Sequence, residues 1–135
     1  MIEVLISDFQ FAGIAEIVEI LKLNSQYGFP EVDGPEAVKR VEACGTAVFL
    51  VCETDGKVVG VVRGNYDGSR VIIHQFSVHP AYKKRGIGTA LVKEIVKSFE
   101  QRGAPTVSAT VTEERLPFWR KVGFRKTKAF VGGNW

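Results

Sequence analysis

HPAYKKRGIGTALVKEIVKSF, residues 79–99, puts three consecutive cations, Lys83, Lys84 and Arg85, ahead of Gly86-Ile87-Gly88. Leu91, Val92, Ile95, Val96 and Phe99 then recur at the spacing of an amphipathic helix, which Gly103 closes with Pro105 beyond it. A helix that opens on a glycine turn presents unpaired backbone N–H groups and about half a positive charge to whatever approaches. Glycines let a phosphate come close to that backbone, and the preceding cations raise the local potential. The turn reads as an anion cradle or, more simply, as a basic loop capping a helix. A Walker loop is excluded, because position 91, five after Gly86, holds Leu and not Gly followed by Lys. A dinucleotide fingerprint fails too: it needs Gly or Ala at 91 and a strand that opens a parallel βαβ unit.

Upstream, TAVFLVCE (46–53) and KVVGVVRG (57–64) flank Thr54-Asp55-Gly56, a hairpin signal. RVIIHQFSVHP (70–80) follows a turn that contains Asp67-Gly68, so the three strands read as a meander. Before them, IEVLI (2–6) reads as a short strand. Ser7-x-x-Gln10 has the form of a capping box for a first helix carrying Phe11, Ile14, Ile17, Val18 and Leu21. NSQYGFPEVDG (24–34) lacks periodicity and reads as a loop, and Pro35 opens a second helix that stops at Gly45. Downstream, TVSATV (106–111) reads as a buried strand, ERLPFWRKV (114–122) as a fourth helix and FRKTKAFV (124–131) as a last strand. The order βααβββαβαβ makes the chain an α/β protein of α+β type with one mixed sheet.

At 135 residues and 45% hydrophobic composition, residues 1–135 are expected to form one domain. No apolar run approaches the roughly 18 residues that cross a bilayer. The N-terminal stretch carries Glu3 and Asp8 where a secretory leader carries cations, so a cytoplasmic protein without a membrane partner is expected. Cys44 and Cys52 form no CxxC and have no adjacent His, so neither a metal site nor a disulfide is expected, and both read as small buried residues. Residues 1–56 hold 3 Lys+Arg against 10 Asp+Glu, and residues 57–135 hold 15 against 5. That split suggests one cationic and one anionic ligand, or merely two solvated faces. The basic residues lack interleaved exposed aromatics, so nucleic acid is not expected as a partner.

Taken together, Val78-His79-Pro80, the turn Lys83-Lys84-Arg85-Gly86-Ile87-Gly88 and FWRKVGF (118–124) resemble the GNAT family of N-acetyltransferases. That family's acetyl-CoA motif reads Gln/Arg-x-x-Gly-x-Gly/Ala, and its later segment reads FYEKLGF. The resemblance implies a GNAT fold with splayed fourth and fifth strands, and acetyl-CoA as cosubstrate. It implies direct transfer of an acetyl group to a primary amine of a small molecule or peptide. The pyrophosphate of coenzyme A is expected on Lys83, Lys84, Arg85, Gly86, Ile87, Gly88 and Thr89. Main-chain groups of Phe76 and Val78 would meet its pantetheine arm. Thr112 stands where the family often has an Asn on that arm. Lys83 replaces a planar donor with a point charge.

Amide formation from a thioester needs a deprotonated amine, a donor for the carbonyl oxygen and a proton for the leaving thiolate. His74 lies near the family's usual Glu and accepts a proton near neutral pH, which makes it the candidate base, with a structural role as the alternative. The Val78 N–H is the candidate oxyanion donor. Trp119 stands where the family has its proton-donating Tyr, and an indole N–H is no acid. Trp119 is therefore expected beside the cofactor or in the core, with a weakly active or inactive acyl-CoA binder as the alternative function. Tyr27, Phe29, Glu31 and Asp33, on the loop that forms a lip of the acceptor site in the family, are the candidate acceptor residues. Their charge favours a cationic amine unless Asp33 caps the second helix. Only twelve residues follow Gly123, which leaves an edge through which two copies can pair as a homodimer.

Overall fold

The computed structural model describes residues 5–127. In chain order the elements are β1 (Leu5–Asp8), α1 (Ile14–Leu23), α2 (Pro30–Asp33), α3 (Pro35–Glu42), β2 (Ala47–Thr54) and β3 (Lys57–Tyr66). β4 (Val71–Val78), α4 (Ile87–Gln101), β5 (Val107–Ala109) and α5 (Leu116–Lys121) follow. The strands form one sheet in the order β1-β2-β3-β4-β5, antiparallel through β4 and parallel between β4 and β5. This is the expected mixed sheet.

The unbroken apolar runs of β2 and β3 follow from burial on both faces. Val48, Leu50, Cys52, Val59 and Val62 face α4, whose Ile87, Leu91, Val92, Ile95 and Phe99 are buried against them. Alternate residues Phe49, Val51, Val58 and Val61 face the other way, against Ile17, Ile20 and Leu21 of α1 and Val38 of α3. Each buried side chain contributes roughly 1.5–3 kcal/mol before entropy is subtracted. Gly60 sets how closely α4 sits, because a Cβ there would lie 2.8 Å from Leu91 Cδ1. Asp55 and Gly56, at φ 53° and 73° with Thr54 opposite Lys57, make the two-residue hairpin turn. Asp67 Oδ1 accepts the N–H groups of Ser69 and Arg70 and closes the next one.

Several expectations are corrected. Ser7 lies within β1, paired with Val51, and makes no cap; a 3-10 turn at Phe11–Gly13 leads into α1, whose N-cap is Gly13. Pairing with β2 outweighs the local capping signal. The stretch 24–34 contains the helical turn α2, started by Pro30 at its first position. The N-cap of α3 is Gly34, not Asp33. β5 is three residues long and only half-buried. Residues 124–127 form no strand, and the rest of the expected last strand lies outside the described residues, as do residues 2–4 of the first.

Cys44 is exposed, whereas Cys52 is buried. Hydrogen bonds from Thr46 lower the Cys44 thiol pKa, and burial pushes that of Cys52 up to about 11. One equivalent of a maleimide should therefore modify Cys44 in the folded protein near pH 8, with Cys52 reacting only after denaturation. Mass mapping of the adducts checks this; equal labelling of both in the native state contradicts the packing of β2.

Candidate active site

Parallel pairing of β4 with β5 ends at Ile73 opposite Ala109, with a last bond from Thr110 N–H to the Ile73 carbonyl at 3.3 Å. Register against β3 slips at the same place, from Gly64 opposite Ile73 to Arg63 opposite Gln75, which leaves His74 as the extra residue of a β-bulge. Beyond the bulge β4 runs on alone along that edge. His79 N–H donates to the Val59 carbonyl at 2.8 Å, so by alternation residues 75, 77 and 79 turn their main-chain groups to β3. Phe76 and Val78 turn theirs to the gap. The carbonyls confirm it: Phe76 O accepts from Gln26 Nε2 at 3.2 Å, and Val78 O from Asn24 Nδ2 at 2.8 Å. The same Asn24 nitrogen also reaches Ser77 Oγ at 2.6 Å.

Two amides from the turn and loop that follow α1 thus occupy the carbonyl acceptors of the edge and leave its N–H donors facing the gap. Gln26 Oε1 is buried without a hydrogen-bond partner among the described residues, a state that costs about 1–3 kcal/mol until a donor arrives. Neither Asn24 nor Gln26 was singled out by the sequence. They meet Val78 and Phe76 from 54 and 50 residues away, and only the closed fold brings them there.

The turn ahead of α4 has Lys84 at φ 64° and Gly86 at φ 83°, two left-handed residues separated by Arg85. Such alternation turns successive N–H groups inward as an anion-binding concavity. No side chain caps α4, and nothing lies within 4 Å of a Cβ built on Gly86. Lys83, Lys84 and Arg85 are exposed, with the Arg85 guanidinium 5.2 Å from the ring centre of Tyr82. Gly88 serves differently: a Cβ there would stand 2.9 Å from Phe76 Cζ, against which the first turn of α4 packs. Ile87 is buried beneath the turn, and Thr89 is half-buried beside it.

On the opposite face of the sheet, Asp33 is buried at 8% exposure. Its Oδ2 accepts the Gly28 N–H at 2.8 Å and its Oδ1 accepts from Gln75 Nε2 at 3.3 Å. Gln75 Oε1 in turn accepts from Arg63 Nε at 3.2 Å. His74 stands exposed on the bulge beside this chain. Desolvation first, then the charge of Arg63, lowers its pKa below the ordinary 6.5.

The remaining candidates are spread wider. Glu31 is exposed, and its carbonyl accepts from Arg40. Phe29 is 57% exposed, and Tyr27 packs beside the α1–α3 core with Lys22 Nζ 5.0 Å above its ring. Thr112 is exposed and bonds Glu114 at 3.4 Å. Trp119 lies in the α4-side core at 4% exposure, in edge contact with Phe76, Phe118 and Phe124. Among the described tyrosines, the Tyr66 hydroxyl is taken by carbonyls at Gly68 and Gly103, and Tyr82 meets His79. Among the described residues no three His, Cys, Asp or Glu side chains are placed to hold a metal ion, and no helix is long and apolar enough to cross a membrane.

The two glycines make separable predictions. Gly88→Ala overpacks the Phe76 contact and should cost about 1–3 kcal/mol, read as a fall in Tm. Gly86→Ala meets only the positive-φ penalty of about 1–2 kcal/mol and no clash, so a further Gly86→Asn substitution, which tolerates that conformation, should recover most of the lost Tm. A Gly88→Ala protein as stable as the parent would contradict the packing of α4 on Phe76.

The model of the Acetyltransferase (GNAT) family matches residues 14–124. Among solved structures, a transcriptional regulator from Bacillus halodurans C-125 superposes with a TM-score of 0.86 at 20% identity, over 98% of this chain and 100% of that one. The PaiA N-acetyltransferase from Thermoplasma acidophilum, solved in complex with coenzyme A, gives 0.83 at 16% identity, over 95% and 93%. Glucosamine-6-phosphate N-acetyltransferase from Arabidopsis thaliana gives 0.82 at 15%, over 98% and 99%. At these identities the likeness is one of fold, and the family match covers most of the chain. With its strands split after Ile73 and a glycine turn opening α4, this protein belongs to the GNAT acetyltransferase family.

Proposed function

We propose that this protein is an N-acetyltransferase that passes the acetyl group of acetyl-CoA directly to a primary amine. The observation that carries the reading is the unpaired edge of β4, whose Phe76 and Val78 N–H groups face the gap beside an uncapped helix start. Acetyl-CoA is the family's acyl donor, and when bound it supplies the acetyl group as a thioester. The residues fit it: Lys83 to Thr89 offer a backbone anion cradle with open space at Gly86. Phe76 and Val78 offer donors to carbonyl groups, and the orphaned Gln26 Oε1 offers an acceptor to an amide or amine N–H.

This chain's own groups then do three things. The Val78 N–H, directed by the strand register, hydrogen-bonds a carbonyl oxygen as it gains charge, and Asn24 holds the strand there through Val78 O and Ser77 Oγ. His74, kept neutral at pH 7 by its lowered pKa, takes the amine proton directly or through a water. The lip of Tyr27, Phe29 and Glu31 borders the acceptor. Direct transfer is supported because neither cysteine flanks the β4 edge: Cys52 is in the core on β2, and Cys44 bonds Thr46 and Asn65. α5 carries no tyrosine and so offers no acid to the leaving thiolate, which, with a conjugate thiol pKa of about 8.5, would take its proton from solvent.

The test is purified protein with acetyl-CoA and a panel of primary amines, read by thiol release and by mass of the product. An acetylated amine with no acetylated protein is the expected result. Tight coenzyme A binding with no turnover on any amine would establish the inactive binder instead. For a productive amine, the acid limb of kcat should lie below pH 6.5, because the neutral imidazole persists to lower pH than usual. His74→Ala should lower kcat by about a hundredfold and abolish that limb; an unchanged profile would make the histidine structural.

A further inference from the structure

We infer that Arg63 forms a carboxylate-binding subsite beside His74, and that the acceptor is an amine which also carries a carboxylate, such as an amino acid or a peptide C-terminus. The inference rests on the acetyl-transfer reading for the acceptor's role, while the subsite rests on geometry alone. Arg63 is half-buried in the interior of β3, on the face that holds Gln75 and Asp33. Its only hydrogen bond is from Nε to Gln75, so both terminal nitrogens lack a partner among the described residues. Among the described residues no carboxylate reaches Arg63 within 4.0 Å, and the charge of Asp33 acts on it only from farther away, behind Gln75. A guanidinium withdrawn from water this far is ordinarily paired.

The fork is also held in place. Gly28 N–H fixes Asp33, Asp33 fixes Gln75 and Gln75 fixes Arg63, so the chain that orients the guanidinium ends in backbone. What it leaves free is the edge bearing the two terminal nitrogens, which matches two carboxylate oxygens side by side. The acidic lip is correspondingly weaker than its composition suggests, because both oxygens of Asp33 are engaged inward. A lone cation with a carboxylate nearby suits a monoanion better than a phosphate dianion. Arg63 takes the carboxylate and His74 takes the proton, the two needs of a zwitterionic acceptor met on adjacent strands.

The experiment uses matched pairs: β-alanine and its amide, 4-aminobutyrate and its amide, and glycylglycine and its amide, with O-phosphoethanolamine as the phosphate comparison. In the parent protein the carboxylate member of at least one pair should show kcat/KM about tenfold above its amide. Arg63→Gln should erase that ratio, chiefly through KM. Arg63→Lys, which keeps the charge without the fork, should retain part of it and replaces the glutamine variant if circular dichroism shows that variant unfolded. No preference in any pair, or O-phosphoethanolamine outperforming every carboxylate, overturns the subsite. If no amine is acetylated, saturation-transfer NMR of 4-acetamidobutyrate against its amide, with coenzyme A present, decides separately. Carboxylate-selective binding lost in Arg63→Gln keeps the subsite and removes the transfer reading; equal or absent binding in the parent removes the subsite.

Discussion

The parallel pairing of β4 with β5 is only three residues long, and everything proposed for this protein depends on where it stops. A strand that leaves its neighbour exposes main-chain groups that must find other partners. Here the bulge at His74 turns β4 at the point where β5 departs, so the exposed groups are those of Phe76 and Val78. The loop after α1 closes over part of that edge with Asn24 and Gln26 and satisfies its carbonyls. What is left is a strip of donors beside a helix start without a cap, two features with the same appetite for oxygen-rich ligands.

The two faces of the sheet divide the labour. α4 and the aromatic group of Phe76, Phe118, Trp119 and Phe124 make an apolar wall on one side, with Gly60 and Gly88 each allowing a close approach of helix and strand. On the other side a polar chain runs from Gly28 through Asp33 and Gln75 to Arg63, close to the bulged His74. An apolar wall raises the strength of any hydrogen bond made against it, while the polar side carries the charges of Asp33 and Arg63. Trp119 belongs to the wall. The place that family resemblance gives to an acid is filled by a ring that packs against Phe76, Phe118 and Phe124.

Much of this was legible in the residues alone. The period of Leu91 to Phe99, the glycine turn before it and the Asp55-Gly56 hairpin are local signals, each decided by the conformational preferences of a few neighbouring residues, and each stands in the structure as read. Three things were decided only by the tertiary structure. Ser7 and Gln10 carry a capping pattern, but the ladder with β2 claims Ser7 for a strand. Asp33 looks like a lip carboxylate, yet it turns inward because Gly28 N–H and Gln75 lie within its reach. Asn24, Gln26 and Arg63 carry no motif at all; their partners are 12 to 54 residues distant, and such pairings exist only once loop closure has brought the strands together.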